Sequence, residues 1–397
     1  PPFMNSLWRD YPHTILKAFE KVAGKHGKVG NSEIGHASIG CGRTVEQDIT
    51  EIDKAISNKT FYQNPNLLKV VQYVKDHNST LHLIGMLSDG AVHSHIDHLL
   101  ALLELVKQQG VASTSIHIIT DGRDVEKTSA LTFVTQLEKK ITTLGFNSPT
   151  SKQKVRIASI IGRYYAMDRN NNLDRTDVAY ELQVFGKGAR VKTARKAITS
   201  SYRSGLEDDE NIPPRVIEDE NGELSTVKDG DAVLTYNFRS DRMRQLTRYF
   251  TDKKFLKRML VFRKYPLLKI HFASLTSYHL PNELPINIIF PPAIIRNSLA
   301  RILDNHGLKQ LHIAESEKYA HITYFFNGGD EDRLSSEERV IVPSKKVSNY
   351  AAVPEMSARE ITREIIKGIK SRKFDFVVAN YANVDMMGHT GDIEAAS

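Results

Sequence analysis

Asp, Arg and His residues recur in five short segments of the 397-residue sequence, each directly after an apolar run. The segments are SDGAVHSH, TDGRD, GRYYAMDR, NFRSDR and NVDMMGH. A single arginine in such a place is usually a solvated loop residue. Arginines after three successive runs instead favour convergence on one anion, because the planar guanidinium matches a phosphate or a carboxylate. The pattern therefore predicts an anion site.

The last of these segments places Asp385 and His389 four residues apart. This spacing brings both side chains to one face of a helix or to one tight turn. A carboxylate oxygen and an imidazole nitrogen there could ligate one divalent metal ion. The same spacing also arises by chance and then gives a plain Asp–His hydrogen bond, so both interpretations stay open at this point.

Ser32 lies in a segment rich in small residues, GNSEIGHASIGCGR, residues 30–43. Glycines let backbone N–H groups approach a phosphate closely. Ser32 could be a nucleophile if a base or a metal ion activates its hydroxyl. It could equally be the N-cap of a helix, with Glu33 near the helix start. The segment alone does not decide between these roles.

The elements that must position these residues alternate between apolar strands and amphipathic helices. This alternation predicts an α/β fold with a mostly parallel sheet covered on both faces. The motifs then follow the carboxyl ends of the strands, where open α/β sheets bind ligands. The predicted strands are 81–89, 115–122, 155–162 and 231–238, and the predicted helices are 95–109, 129–144, 173–184 and one beginning near residue 241.

The remaining segments are predicted with less regular patterns. Residues 207–230 are acidic and rich in turn residues, which indicates a surface excursion. The pair Pro291-Pro292 indicates a hinge or linker. Another helix, a strand over HITYFFNGG and a strand over FDFVVANYAN are predicted after it, and the last strand leads into Asp385.

The composition excludes several classes of protein. With 54 basic and 47 acidic residues the formal charge is +7, which attracts anions such as nucleic acid, an anionic membrane or small phosphorylated metabolites. No run of five Lys or Arg residues supports a nucleic-acid partner, and no apolar run approaches the roughly 20 residues that span a bilayer. The single cysteine, Cys41, excludes an internal disulfide and fits a reducing, cytoplasmic location.

Eight stretches match one known family, in that family's order along the chain. They are GNSEIGHASIGCGR, SDGAVHSHIDHL, DGRD, IASIIGRYYAMDR, NFRSDR, AESEKYAHITYFFNGG, PEMSARE and NVDMMGHTG. With them the sequence resembles the cofactor-independent (2,3-bisphosphoglycerate-independent) phosphoglycerate mutases of the alkaline phosphatase superfamily. The resemblance implies two α/β domains with mostly parallel sheets. A metal-binding phosphatase-like domain, residues 1–45 and 291–397, would carry an inserted phosphotransferase domain, residues 46–290.

The resemblance also implies a reaction of glycolysis and gluconeogenesis, the interconversion of 3-phosphoglycerate and 2-phosphoglycerate through a phosphoserine. Ser32 would be the nucleophile, and Asp124 would move the hydroxyl proton. Two Mn²⁺ or Mg²⁺ ions would act as cofactors, with Ser32, Asp385 and His389 as the matching ligands. The family leans toward monomers. The matching substrate-binding positions are His93, Arg123, Asp124, Arg163, Arg169, Arg239, Arg242 and Lys318.

Some of the family's metal-binding motifs have no counterpart in the sequence: an N-terminal LDGWG-like motif, a TADHGN-like motif and an AHT-like motif. We therefore expect a fragment truncated at both ends, with incomplete metal sites and little activity. Two alternatives stay open: another phosphomutase or phosphatase of the superfamily, and a non-catalytic phosphate-binding module. Nucleic-acid binding ranks last.

Overall fold

The computed structural model describes residues 2–15, 32–259, 268–278, 284–292, 295–330, 332–347 and 350–397. The chain divides into two compact units. Unit 1 consists of Pro1–Gln47 with Pro292–Ser397, and unit 2 is Asp48–Pro291. Residues 30 and 31 of the Ser32 segment, and residues 293 and 294 after the proline pair, lie outside the described residues.

Unit 2 is built on an eight-stranded sheet whose strand order is β4-β5-β3-β2-β1-β6-β7-β8. All neighbouring strands pair in parallel except β3 and β5, which are antiparallel. The strands are β1 Thr80–Met86, β2 Ser113–Thr120, β3 Lys154–Gly162, β4 Ala189–Val191, β5 Arg215–Ile217, β6 Ala232–Thr235, β7 His271–Ser274 and β8 Asn287–Ile288. This arrangement confirms the predicted α/β class with a mostly parallel sheet.

The central strands are nearly continuous apolar runs because both faces of the sheet are covered. Leu83 belongs to one hydrophobic core and Ile84 to a second, so that alternate side chains of β1 face opposite layers. The first layer contains the helices Asp48–Ser57, Pro65–Asp76, Ile96–Gln109, Ala130–Thr143 and Ala194–Arg203, and the second contains Leu173–Phe185 and Arg244–Thr251. Shorter helices are Thr60–Gln63, Arg163–Ala166, Asp209–Asn211 and Lys253–Met259.

Local sequence signals set several of these boundaries. The His95 side chain accepts the N–H of Asp97 at the start of one helix, and Gly110 ends the same helix with φ +68°. The strand predicted over 231–238 is shorter than expected and ends at Thr235. After it, the Asn237 side chain accepts the N–H of Met86 at 2.9 Å, and the chain leaves the sheet toward the NFRSDR motif.

The prediction that residues 207–230 form a surface excursion is wrong. Ile212, Val216 and Val227 are each at most 1% exposed, and β5 pairs with β3. Pairing with a central strand buries the segment, which polar composition alone does not reveal.

Unit 1 contains a three-stranded parallel sheet in the order β10-β9-β11. The strands are β9 Gln310–Glu315, β10 Glu337–Val342 and β11 Phe376–Asn380. The first two were not predicted, and β11 lies inside the predicted FDFVVANYAN strand. The helices are Pro2–Asp10, Ser32–Cys41, Leu299–Asn305, Ser316–Lys318, His321–Phe325, Tyr350–Ala352, Ala358–Ser371, Asn383–Thr390 and Ile393–Ala396.

The strand predicted over HITYFFNGG is wrong, because His321–Phe325 forms a wide helical turn. A short apolar run is compatible with a buried helix as well as with a buried strand, and tertiary packing decides between them. Here the turn packs on the helix Ser32–Cys41, where a Cβ on Gly40 would lie 2.0 Å from the carbonyl oxygen of Phe326. Across the described ranges, no helix combines the length and the apolarity needed to cross a membrane.

Candidate functional site

The loop after β2 turns at Gly122 and is held by the side chain of Asp121. Gly122 has φ +75°, and a Cβ there would lie 2.8 Å from the backbone nitrogen of Glu210, so only glycine fits. Asp121 Oδ1 accepts the backbone N–H of Arg123 at 3.2 Å and that of Asp124 at 3.0 Å. These bonds fix where the side chains of Arg123 and Asp124 leave the loop.

Arg163 follows β3 directly and is 3% exposed. Its Nη1 donates to Asp121 Oδ1 and to Asp124 Oδ2, each at 2.6 Å. A Cβ on the preceding Gly162 would lie 2.1 Å from the Glu210 carbonyl oxygen, so this close approach also requires glycine. The arginine therefore begins its loop in a fixed position between two carboxylates.

His93 and Asp241 extend this cluster toward two further arginines. His93 Nε2 lies 4.0 Å from Asp124 Oδ2, and its Nδ1 lies 3.7 Å from Asp241 Oδ1. Asp241 accepts from Arg169 Nη1 at 3.0 Å and pairs with Arg239 Nε at 3.2 Å. Burial, reinforced by nearby guanidinium groups, lowers the pKa of His93 to about 3. The imidazole is therefore neutral near pH 7 and can accept or donate a hydrogen bond without adding charge.

Arg242 is anchored by a backbone carbonyl group. Its Nη1 donates to the carbonyl oxygen of Met167 at 3.0 Å. Burial lowers the pKa of Arg242, and the charges of Arg169 and Arg163 lower it further. Cations held this close repel one another, and a bound anion would relieve that repulsion.

The cluster has a small surplus of positive charge. Arg123 pairs with Glu210 through Nε at 3.1 Å and through Nη2. Five arginines therefore face four carboxylates around a neutral imidazole. The arginines are Arg123, Arg163, Arg169, Arg239 and Arg242, and the carboxylates are Asp121, Asp124, Glu210 and Asp241. We call this set the arginine cluster.

All seven site residues predicted in unit 2 belong to the arginine cluster or, in the case of His93, lie beside it. Sequence reasoning did not single out Asp121, Glu210 and Asp241, which hold the arginines. Asp121 and Asp241 stood inside the quoted TDGRD and NFRSDR motifs, so a signal was present. Glu210 lies in the acidic segment interpreted as a surface loop, and no local signal marked it.

In unit 1, Ser32 is the first residue of the helix Ser32–Cys41. His36, one turn later, has its Nδ1 2.7 Å from the Ser32 carbonyl oxygen and 3.5 Å from Ser32 Oγ. Asn380, at the end of β11, donates from Nδ2 to His36 Nε2 at 2.9 Å. His36 Nε2 is then the acceptor, and Nδ1 carries the proton. These three residues form a chain that fixes the helix start beside the strand end.

The predicted metal ligands Asp385 and His389 lie on the helix Asn383–Thr390, so the helical interpretation of their spacing is correct. Asp385 Oδ2 is 3.6 Å from His389 Nε2 and bonds to the ammonium of Lys318. Burial raises the pKa of Asp385, but the hydrogen bond and charge of Lys318 outweigh it and hold that pKa below its ordinary value. The carboxylate is therefore ionised, and Lys318 is its cationic partner in the described structure.

These residues fit a metal ion only in part. Asp385 and His389 are two suitable donors side by side. Within the described ranges, however, no group of three or more His, Cys, Asp or Glu side chains is placed to hold a metal ion. Nearby, burial lowers the pKa of His321 to about 4, with the charge of Lys318 adding to it, which leaves that imidazole neutral. Within the described ranges, Asp385 and His389 thus form an incomplete metal site.

Comparison with known proteins gives one consistent result. Residues 52–280 match the family model described as the BPG-independent PGAM N-terminus. The chain is 44% identical over 396 residues to the 2,3-bisphosphoglycerate-independent phosphoglycerate mutase of Moorella thermoacetica, covering 100% of this chain and 74% of the relative. It is also 44% identical to the enzyme of the same name from Desulforudis audaxviator, covering 98% and 73%.

Among solved structures, the chain is similar to Leishmania mexicana phosphoglycerate mutase, crystallised at low cobalt concentration. The TM-score is 0.72 and the sequence identity 31%, and the match covers 100% of this chain and 72% of that one. Sequence and structure thus point to the same family.

Proposed function

Since this chain belongs to the family of 2,3-bisphosphoglycerate-independent phosphoglycerate mutases, we propose that it binds 3-phosphoglycerate and 2-phosphoglycerate in unit 2 and takes up the phosphoryl group on Ser32 in unit 1. The observation that carries the proposal is the arginine cluster. Its five arginines lie in the segments that follow β2, β3 and β6 of one sheet, at the carboxyl ends of the strands, where α/β proteins bind ligands.

The chemistry of the arginine cluster suits phosphoglycerate. The substrate carries a carboxylate and a phosphate, and guanidinium groups bind both with paired hydrogen bonds. Arg169 and Arg239 are half exposed, with side-chain exposures of 50%, and can turn toward a ligand. Neutral His93 would accept a hydrogen bond from a substrate hydroxyl or donate one to it. Asp124 would move the hydroxyl proton.

In the proposed transfer, the bond from phosphorus to O3 of the substrate breaks and a bond from phosphorus to Ser32 Oγ forms. The Ser32 proton ends on O3, so the products are phosphoserine and glycerate. The second half reverses this with O2 of glycerate, which gives 2-phosphoglycerate and restores the Ser32 hydroxyl. The hydrogen bonds of His36 to the Ser32 carbonyl oxygen and to Asn380 support this role, because they hold the Ser32 backbone in place.

For the metal ions the proposal is narrower. Asp385 and His389 would hold one Mn²⁺ or Mg²⁺ ion, and Ser32 would belong to the second. When bound, such ions lower the pKa of a ligated hydroxyl and neutralise charge on a phosphoryl group. Lys318, which neutralises Asp385 in the described structure, would be released to the substrate.

Three further parts of the proposal rest on the family resemblance and the composition. We propose that the chain is a monomer, that it acts in the cytoplasm, and that unit 1 is the metal-binding domain while unit 2 binds substrate. Sedimentation at micromolar and submicromolar concentration tests the first part, and cell fractionation tests the second.

The decisive experiment is conversion of 3-phosphoglycerate to 2-phosphoglycerate with Mn²⁺ and without bisphosphoglycerate. It is run with and without EDTA, on the wild type and on the Ser32→Ala variant. Because the described ranges hold no group of three metal donors, we expect slow product formation, which EDTA abolishes and which Ser32→Ala reduces below detection, since no other nucleophile is proposed. Mass spectrometry of acid-quenched enzyme should find phosphate on Ser32 alone.

Two controls separate the alternatives. Release of inorganic phosphate at the rate of substrate loss would indicate a phosphatase. Binding of 3-phosphoglycerate without turnover, even with Mn²⁺, would indicate a phosphate-binding module. Thr50→Ala, a change outside the sites in either unit, is the matched hydroxyl control and should leave conversion unchanged.

A further inference from the structure

Asp121 is a buried carboxylate at the end of β2 that is not itself among the predicted site residues. It is 2% exposed and forms four hydrogen bonds. Oδ1 accepts from Arg163 Nη1 at 2.6 Å and from the N–H groups of Arg123 and Asp124, and Oδ2 accepts from Ser88 Oγ at 2.7 Å. A single carboxylate thus joins the loop after β2 to the arginine after β3.

We propose that Asp121 is a positioning residue for phosphoglycerate: it aligns the Arg163 guanidinium and the Asp124 carboxylate before the substrate arrives. This inference rests on the proposed function of the arginine cluster. Asp121 acts through its hydrogen bonds to Arg163 and to the backbone N–H groups of Arg123 and Asp124.

The pattern of bonds on Arg163 supports this role. Asp121 and Asp124 both bind Nη1, whereas Nε and Nη2 bond to no residue in the described part of the chain. The edge of the guanidinium formed by Nε and Nη2 is the edge that pairs with two oxygens of a phosphate or carboxylate. Anchoring Nη1 therefore presents a preformed donor pair, which removes the entropic cost of ordering a long side chain on binding.

The surroundings of Asp121 keep it ionised. Burial raises its pKa, but the hydrogen bonds from Ser88 and the Asp124 backbone and the charge of Arg163 outweigh burial and hold the pKa below its ordinary value. Ser88 is fully buried and donates to Oδ2, the carboxylate oxygen that does not bond to Arg163. Its hydroxyl fixes the carboxylate plane, and through it the position of Nη1.

The first test compares Asp121→Ala with Asp121→Asn by calorimetric titration of 3-phosphoglycerate. Asparagine keeps an acceptor oxygen for Arg163 and for the two N–H groups but loses the charge. We expect 3-phosphoglycerate to bind at least about tenfold more weakly to Asp121→Ala and only about threefold more weakly to Asp121→Asn. The conservative variant would thus keep most of the affinity.

The matched control is Asp231→Asn, a buried aspartate at the opposite end of the strands. Asp231 also accepts two backbone N–H groups, those of Thr80 and Lys228, and one side chain. It should bind 3-phosphoglycerate as the wild type does, even if its melting temperature falls. If Asp231→Asn weakens binding as much as Asp121→Asn does, the effect is general destabilisation and the proposal is overturned.

The second test needs no ligand. In the ¹⁵N–¹H spectrum of arginine side chains, the Arg163 signal is identified by its loss in Arg163→Lys. We expect this signal to shift and broaden in Asp121→Ala and to stay near its wild-type position in Asp231→Asn. An unchanged Arg163 signal in Asp121→Ala would overturn the positioning role.

The two tests distinguish this inference from the proposed function. If Arg163→Lys leaves the affinity for 3-phosphoglycerate unchanged, the proposed site is wrong, whatever Asp121 does to Arg163. If Arg163→Lys weakens binding strongly while both Asp121 variants bind normally, the site stands and only the inference about Asp121 is overturned.

Discussion

At the scale of single residues, four of the five arginines of the arginine cluster are held by an acceptor from another loop or strand end, and Arg239 pairs with Asp241 of its own segment. Arg163 bonds to Asp121, Arg169 to Asp241 and Arg242 to the Met167 carbonyl. Removing guanidinium groups from water is costly unless each retains a hydrogen-bonded partner. The carboxylates therefore make it possible to gather several cations at one sheet edge, and the remaining positive surplus is what an anionic substrate would neutralise.

The first prediction concerns His93. Because burial lowers its pKa to about 3, the imidazole stays neutral at every pH above about 4. The Cε1–H proton signal of His93, identified by its absence in His93→Gln, should therefore not move between pH 8 and pH 5. The unfolded protein in urea supplies the reference, since its histidines titrate near pH 6.5. A midpoint above pH 5.5 for the native signal would contradict the prediction.

At the scale of elements, a buried polar chain links strands β1, β2 and β3. His82 Nε2 lies 3.2 Å from Asp231 Oδ2, His82 Nδ1 lies 2.9 Å from His117 Nε2, and His117 Nδ1 lies 2.8 Å from Ser159 Oγ. A carboxylate can only accept, so each Nε2 carries the proton, each Nδ1 accepts, and Ser159 donates its hydroxyl. Both rings are therefore neutral, and all the hydrogen bonds run in one direction, from Ser159 to Asp231.

The second prediction is that the buried histidines His82 and His117 make the folded protein less stable in acid. Burial lowers the pKa of His82 and lowers that of His117 further still. Below about pH 6.5 the unfolded chain binds protons that the folded chain does not, so the free energy of unfolding falls as the pH falls. The loss should reach up to about 1.4 kcal/mol per pH unit for each imidazole. Urea unfolding at pH 7.5, 6.5 and 5.5 measures it.

Two variants isolate the contribution of the buried histidines to this acid sensitivity. His117→Gln cannot titrate, so we expect lower stability at pH 7.5 but a smaller loss on acidification. His306→Gln, which removes an exposed histidine, should keep the wild-type slope. Equal slopes for wild type and His117→Gln would show that the acid sensitivity comes from elsewhere.

The third prediction concerns Gly162, where β3 meets its loop. A Cβ would lie 2.1 Å from the Glu210 carbonyl oxygen, and backbone must move to admit it. Gly162→Ala should lower the free energy of unfolding by about 2 kcal/mol or more and weaken phosphoglycerate binding, because the displaced segment carries the partner of Arg123. Gly110→Ala, with φ +68° and open space around it, should cost only about 1 kcal/mol and leave binding unchanged. Urea unfolding and titration calorimetry check both variants.

At the scale of the whole molecule, the two units differ in the size of their hydrophobic cores. Both large cores lie entirely within Asp48–Pro291, whereas the described residues of unit 1 form three small clusters. Apolar burial is the main favourable term in folding. We therefore expect unit 2 to fold without unit 1.

The fourth prediction follows from this difference. A segment of residues 48–291 produced alone should unfold cooperatively, and its melting temperature should lie within about 5 °C of one of two transitions of the full chain. Differential scanning calorimetry measures both. An aggregated or non-cooperative segment, or a single transition of the full chain at a different temperature, would contradict the prediction.

The sequence by itself determined the elements that rest on local physics. Apolar runs marked β1, β2 and β3, Gly110 marked a helix end, and the quoted motifs placed the arginines at the strand ends. These signals are local because side-chain periodicity and backbone conformation depend on neighbours in the chain. The motifs also carried the family, since their residue types and order are specific.

Only the tertiary structure decided what depends on partners distant in sequence. It made His321–Phe325 helical, because the turn packs on the helix Ser32–Cys41. It buried β5 against β3, and it placed Glu210 beside Arg123 across 87 residues of chain. A buried carboxylate is stabilised by whichever cation and N–H groups the fold brings to it, and these partners have no fixed spacing in the sequence. That is why the arginines of the arginine cluster and Asp124 were predictable from their motifs, whereas Glu210, which holds Arg123, was not.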